Sequence, residues 1–225
     1  MTVLLAERPV RTATADALLE GDLYLPDEPR GLIVFAHGSG SSRHNARDRH
    51  VVQRLAAEGF GTLVFDLLTR SEDAQDRWTY RFRFDTPLLS RRLTSALDWA
   101  RRSPVSRHLK IGLLGAASDA GAALRVAAER TRDVAAVVLL GGRPEASRDI
   151  LRRVSAPTLM LVGEKDNAVM LQSRHALDQF HGPRELSVVP GASHLFLEGD
   201  TLEVAARAAS DWFARHLTPH ARSAA

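Results

Sequence analysis

Short apolar runs rich in β-branched residues alternate along this chain with segments of helical period, and that alternation constrains the fold more than any other feature. The runs lie at residues 31–36 (GLIVFA), 61–65 (GTLVF), 110–114 (KIGLL), 134–140 (VAAVVLL), 158–162 (TLMLV) and 185–189 (ELSVV). Between them the spacing of Val51, Val52, Leu55 and Ala56, and of Leu89, Leu93, Ala96, Leu97 and Ala100, predicts amphipathic helices, as do stretches at 122–129, 145–153, 171–180 and 202–217. Apolar strands joined through helices form a mostly parallel sheet with helices on both faces. The expected class is therefore α/β. The run 134–140 is the most apolar and predicts the central strand, while an alternating stretch at 18–25 suits an antiparallel hairpin edge. Residues 67–86 (LLTRSEDAQDRWTYRFRFDT) carry charge and aromatics without a clear period. They predict a loop or short helix over the edge of the sheet, and they are the only material for a lid.

No linker, repeat or composition shift divides the series, so one domain is expected over 1–225, with a core at about 18–217 and a frayed tail at 218–225. A chain of 225 residues, 44% of them apolar, is long enough to bury one sizeable core. It has no apolar run of about 18 residues and no signal-peptide pattern at its start, so a soluble, cytoplasmic protein without a membrane partner is expected. The absence of cysteine excludes disulfides, thiolate metal sites and a cysteine nucleophile. The pI near 9.9 suggests nucleic acid until the charges are placed. Apart from Lys110 and Lys165 every one of the 30 basic residues is arginine, spread over the whole length among acidic residues, with a net charge of only +3. That is not the clustered basic face that phosphate-backbone binding needs, and no nucleic-acid partner is expected.

Ligands of open α/β sheets gather at the carboxyl ends of the strands, where four loops fall: HGSG at 37–40, GAASD at 115–119, GEKD at 163–166 and PGASH at 190–194. A small-residue strand-to-helix turn, an acid after a later strand and a histidine after the last one follow the chain order of an α/β-hydrolase Ser-Asp-His site. The segments VFAHGSGSSRHNARDRHVVQRLAAEGFGTLVFDLLT, IGLLGAASDAGAALRVAAE, GGRPE, APTLMLVGEKDNAVM and VVPGASHLFLEGDTLEVAARAASDWFARHL resemble the dienelactone-hydrolase-like branch of the α/β-hydrolases, from about residue 31 to 217. The resemblance implies a small single-domain α/β-hydrolase fold without a large cap, acting on a carboxylic ester or lactone by acyl transfer and needing no cofactor. It also implies Asp166 as the acid and His194 as the base. Asp166 would accept the Nδ1 proton of His194, fix its tautomer and stabilise the imidazolium formed during nucleophilic attack.

At the nucleophile the chain departs from the pattern it resembles. The family's turn usually reads Gly-Ala-Ser-Thr-Gly-Ala, and a gapless match puts Ala117 at the serine, Ser118 at the threonine and Asp119 at a glycine. Ala120, Ala122, Ala123 and Leu124 continue that register. A one-residue shift would make Ser118 the nucleophile, flanked by the small Ala116 and Ala120, but it would turn the following helix by about 100° and take Leu124 off the core stripe. In the gapless register the N–H of Ser118 is one arm of the oxyanion hole and the N–H of Ser39 the other. Alanine at 117 fits a Ser→Ala replacement that holds substrate without turnover. It also fits a natural departure: a protein that binds without cleaving, or one using His194 and Asp166 as a base with no covalent step.

Candidate substrate contacts are His37 and Gly38 in the oxyanion loop and Arg43, His44, Arg47 and Arg49 just after it, since a guanidinium can hold a substrate carboxylate bidentately. The same residues suit a solvated loop and helix start equally well. Arg143, in GGRP after the 134–140 strand, is a further candidate, for a salt bridge near the site. Trp78, Tyr80, Phe82 and Phe84 can line the pocket or simply pack on the sheet. With so little lid material, an open, shallow pocket for small or extended acyl groups is expected. His175 and His181 lack metal-ligand spacing, so no metal is implied, and neither a phosphate loop nor G-x-G-x-x-G supports a nucleotide cofactor.

Overall fold

The computed structural model describes residues 7–38, 42–144 and 148–218. Their strands are β1 (Glu7–Ala13), β2 (Leu18–Tyr24), β3 (Leu32–Ala36), β4 (Gly61–Phe65), β5 (Ile111–Ala116), β6 (Val134–Leu140), β7 (Thr158–Gly163) and β8 (Arg184–Val189). They form one sheet in the order β1-β2-β4-β3-β5-β6-β7-β8. β1 and β2 pair antiparallel, β2 runs antiparallel to β4, and every pair from β4 to β8 is parallel. The hairpin edge at β2 agrees with its alternation, but β1 has no counterpart in the sequence pattern. Its residues are mostly exposed and include Arg8, Pro9 and Arg11, which are tolerated at a sheet edge and leave no apolar face to read. β6 is interior but not central, since β3 and β5 hold the middle of the sheet.

Helices α1 (Ala46–Ala57) and α7 (Thr201–Leu217) cover one face, and α3 (Thr86–Arg102), α4 (Ala120–Glu129), α5 (Arg148–Arg153) and α6 (Asn167–Leu177) cover the other. Val51, Leu55, Ala209 and Phe213 fill the first interface, and Leu93, Leu97, Ala123 and Ala127 the second. Burying one such Leu, Val or Phe side chain contributes about 1.5–3 kcal/mol. The stretch without a clear period contains the short helix α2 (Arg70–Thr79), opened by a capping box between Thr69 and Glu72. Glu72 also accepts from the fully buried Arg92 of α3, whose guanidinium reaches Asp16 and the Leu67 carbonyl as well. One buried cation thus ties α2 and the β1–β2 turn to the sheet. Two helices start earlier than their apolar spacing suggested: α4 at Ala120, and α6 at Asn167 because Asp166 caps it.

Candidate active site

β5 ends at Ala116, and the chain reverses through a single 3-10 turn, Ala117–Asp119, into α4. Ala117 has φ 47°, in the left-handed region, which costs a residue with a Cβ about 1–2 kcal/mol. Ser118 is not among the residues of positive φ. Two glycines give the turn its room. A Cβ on Gly38 would lie 2.7 Å from the Ala117 Cβ, and one on Gly142 would lie 2.2 Å from the Ala120 Cβ. The strain therefore sits at the residue that the gapless register matched to the nucleophile, and the Ser118 hydroxyl is bonded to Asp119 Oδ1 at 3.1 Å.

Asp166 follows β7 and has two duties. Its Oδ1 accepts from the Val169 N–H at the head of α6 (3.2 Å), while its Oδ2 accepts from His194 Nδ1 at 2.6 Å. The helix cap thus fixes the carboxylate, and the carboxylate fixes the ring. The loop carrying His194 is braced from below: Glu164 accepts from the Gly191 N–H (2.7 Å) and Glu198 from the Ser193 N–H (2.9 Å). With Nδ1 committed, Nε2 is left for proton transfer. His194, Ala117 and Ser118 share a cavity of about 260 Å³ with Arg83, Phe84 and Arg143. The His194 side chain is 44% exposed, so the cavity is open to solvent. Of the four aromatics, Phe84 lines it; Phe82 packs against the core, and Trp78 and Tyr80 are exposed.

Arg43 requires a correction. Its guanidinium is bound to Asp66, to Asp22 at 3.0 Å and to Glu20 at 3.3 Å, so it is spent on three internal carboxylates rather than offered to a substrate. His44, 3.9 Å from Asp22, and Arg47, 3.6 Å from Asp48, also face the protein's own acids, as does Arg49 toward Glu7 at 3.7 Å. His37 is buried with Nε2 2.7 Å from Asp66 Oδ1. Burial alone would lower the His37 pKa, but the Asp66 carboxylate more than offsets it and holds the imidazole above its usual value. His37, Arg43 and His44 line a different cavity from His194, one shared with Asp66 and Asp119. Ser39 lies outside the described residues. Glu7, Asp22 and His44 bring potential ligand atoms within 4.8 Å of one another, but a metal there would compete with Arg43 for Asp22.

Asp119 was visible in the sequence only as a misfit at a glycine position. In the fold it is buried, and burial pushes its carboxyl up to about 7, with His37 acting in the opposite direction. The His37–Asp66–Arg43 chain had no sequence signal, because its members come from the ends of β3 and β4 and from the loop between.

The dienelactone hydrolase family model matches residues 19–218. The chain belongs to the dienelactone hydrolase family. A dienelactone hydrolase from Anabaena variabilis is 43% identical, with a TM-score of 0.91, covering 95% of this chain and 99% of that one. Est1E from Butyrivibrio proteoclasticus, seen with ferulic acid bound, shares the fold at 16% identity and a TM-score of 0.77, covering 92% of this chain and 98% of that one. A Mycobacterium tuberculosis protein bearing the name "Putative phosphoribosyl transferase" is 44% identical over 213 residues, 95% of this chain and 47% of that protein. This dienelactone hydrolase family member thus spans about half the length of the curated relatives it matches. No helix among the described residues is long and apolar enough to cross a membrane.

Proposed function

We propose that this chain carries the ester- or lactone-binding site of an acyl-transferring hydrolase, with Ala117 at the nucleophile position and His194 and Asp166 as base and acid. The observation that carries this reading is the left-handed Ala117 at the end of β5, opening onto the same cavity as the hydrogen-bonded His194–Asp166 pair. With serine at 117, its oxygen would attack the carbonyl carbon and its proton would pass to His194. The Ser118 N–H, with that of Ser39, would receive the oxyanion. His194 would then return the proton to the leaving alcohol, and water would hydrolyse the acyl-enzyme. Without that oxygen the covalent step is missing, and the site retains binding and a base. Arg83 and Arg143 line the cavity beside Phe84 and Leu195, and Arg83 is itself paired with the buried Asp76 at 2.6 Å.

The name phosphoribosyl transferase belongs to proteins about twice as long, and the part they share with this chain is the part that the dienelactone hydrolase family covers. The test is hydrolysis of 4-nitrophenyl acetate and of dihydrocoumarin by the unchanged chain and by Ala117→Ser. The reading expects at least a thousand-fold gain in kcat/KM for the variant, in line with the roughly 10³–10⁶-fold losses on removing such nucleophiles. Equal rates in the two proteins would refute it.

A further inference from the structure

The 117–119 turn departs from the family pattern at all three positions, and the last of them, Asp119, lines a different cavity from His194. Asp119 is 1% exposed and, with His37 and Asp66, closes the inner end of a second cavity of about 340 Å³ between residues 42–44 and α2. That volume falls within the roughly 300–1,000 Å³ of small-molecule sites. Leu67, Leu68 and Ala74 supply apolar wall. The arginines that line it are already matched: Arg43 to Asp66 and Asp22, Arg70 to Glu20, and Arg77 to Asp73. No surplus charge is therefore offered to hold an ion. A carboxyl buried in such surroundings keeps its proton and becomes a hydrogen-bond donor. The Ser118 hydroxyl donates to Oδ1, which leaves Oδ2 to carry that proton.

We propose that this second cavity binds a small, uncharged carbonyl compound, its apolar body against Leu67, Leu68 and Ala74 and its carbonyl oxygen accepting a hydrogen bond from Asp119. The site is independent of the acyl-transfer reading, since it uses neither Ala117 nor His194. The groups facing Asp119 are His37 at the end of β3, itself held by Asp66 at the end of β4, Asp48 on α1 and the neighbouring Ser118. Burial raises the Asp119 carboxyl to about 7, His37 and Ser118 oppose this, and Asp48 adds to it. The protonated fraction, and with it the affinity, then falls about tenfold between pH 6 and pH 8.

The test is a two-dimensional methyl NMR titration of leucine- and alanine-labelled protein with 4-phenylbutan-2-one. Expected are shifts at the Leu67, Leu68 and Ala74 methyls and a Kd about tenfold weaker at pH 8 than at pH 6. Asp119→Asn, whose amide can still donate, should bind without that pH dependence. Ala74→Trp, on an exposed helix position, should fill the cavity and abolish the shifts while the protein stays folded. The proposal is overturned by shifts confined to the Leu195 and Ala117 methyls, by no shifts at any concentration of the compound, or by a pH dependence that survives in Asp119→Asn.

Discussion

The proposal that residue 117 is the nucleophile position starts from residue types. Gly115, Ala116 and the small residues of α4 set the register, and the positive φ at Ala117 agrees with it. Asp119 was harder to read, because a sequence shows that a side chain is unusual at a turn but not which way it points. Its burial has a consequence for stability. The folded protein keeps the Asp119 proton up to about pH 7, whereas the unfolded chain releases it near 3.8. Between those values the folded state holds more protons, so this group's contribution is full below about pH 4 and is lost as pH rises toward 7. Asp119→Asn should therefore melt above the unchanged chain at pH 8 by a margin on the order of a few kcal/mol, shrinking as pH falls toward 4. A margin independent of pH, measured by thermal denaturation across that range, would show that Asp119 does not titrate there.

Among the elements, the α2–α3 connection shows why periodicity failed at 67–86. This segment is held by polar contacts. Asp76, fully buried, accepts from the Phe82 N–H at 2.6 Å, the Arg83 N–H at 3.2 Å and Arg83 Nε at 2.6 Å, while Arg83 lies over the Tyr80 ring at 4.5 Å. Burial works to raise the Asp76 pKa, but these donors hold its carboxyl below the usual value. The contacts fix the wall that presents Arg83 and Phe84 to the His194 cavity. Asp76→Ala strands a guanidinium and two N–H groups, and should cost about 3 kcal/mol in chemical denaturation. Combined with Ala117→Ser, it should raise KM for 4-nitrophenyl acetate more than it lowers kcat. A fall in kcat at unchanged KM would mean that the segment serves the reaction rather than the binding. Capping explains the early start of α6 in the same way: Asp166 serves the helix and His194 together, which apolar spacing cannot reveal.

At the scale of the whole molecule, the strand order brings together loops distant in the chain. The ends of β5 and β8 place Ala117 and His194 on one cavity and the end of β7 places Asp166 against His194, and the order of these residues along the chain makes that arrangement legible in the sequence itself. The exposed β1 left no pattern to read, and the apolarity of β6 reported burial on both faces rather than a central position. The Arg43–Asp66–His37 chain stayed hidden because its members, drawn from two strand ends and the loop between them, meet only in the folded sheet. We propose that residue 117 is the nucleophile position and that Ser118 is not. It is tested most directly by incubating the unchanged chain and Ala117→Ser with a fluorophosphonate and locating the adduct by peptide mass. No adduct is expected on the unchanged chain, and a single adduct on the serine introduced at 117. An adduct on Ser118 of the unchanged chain would contradict it.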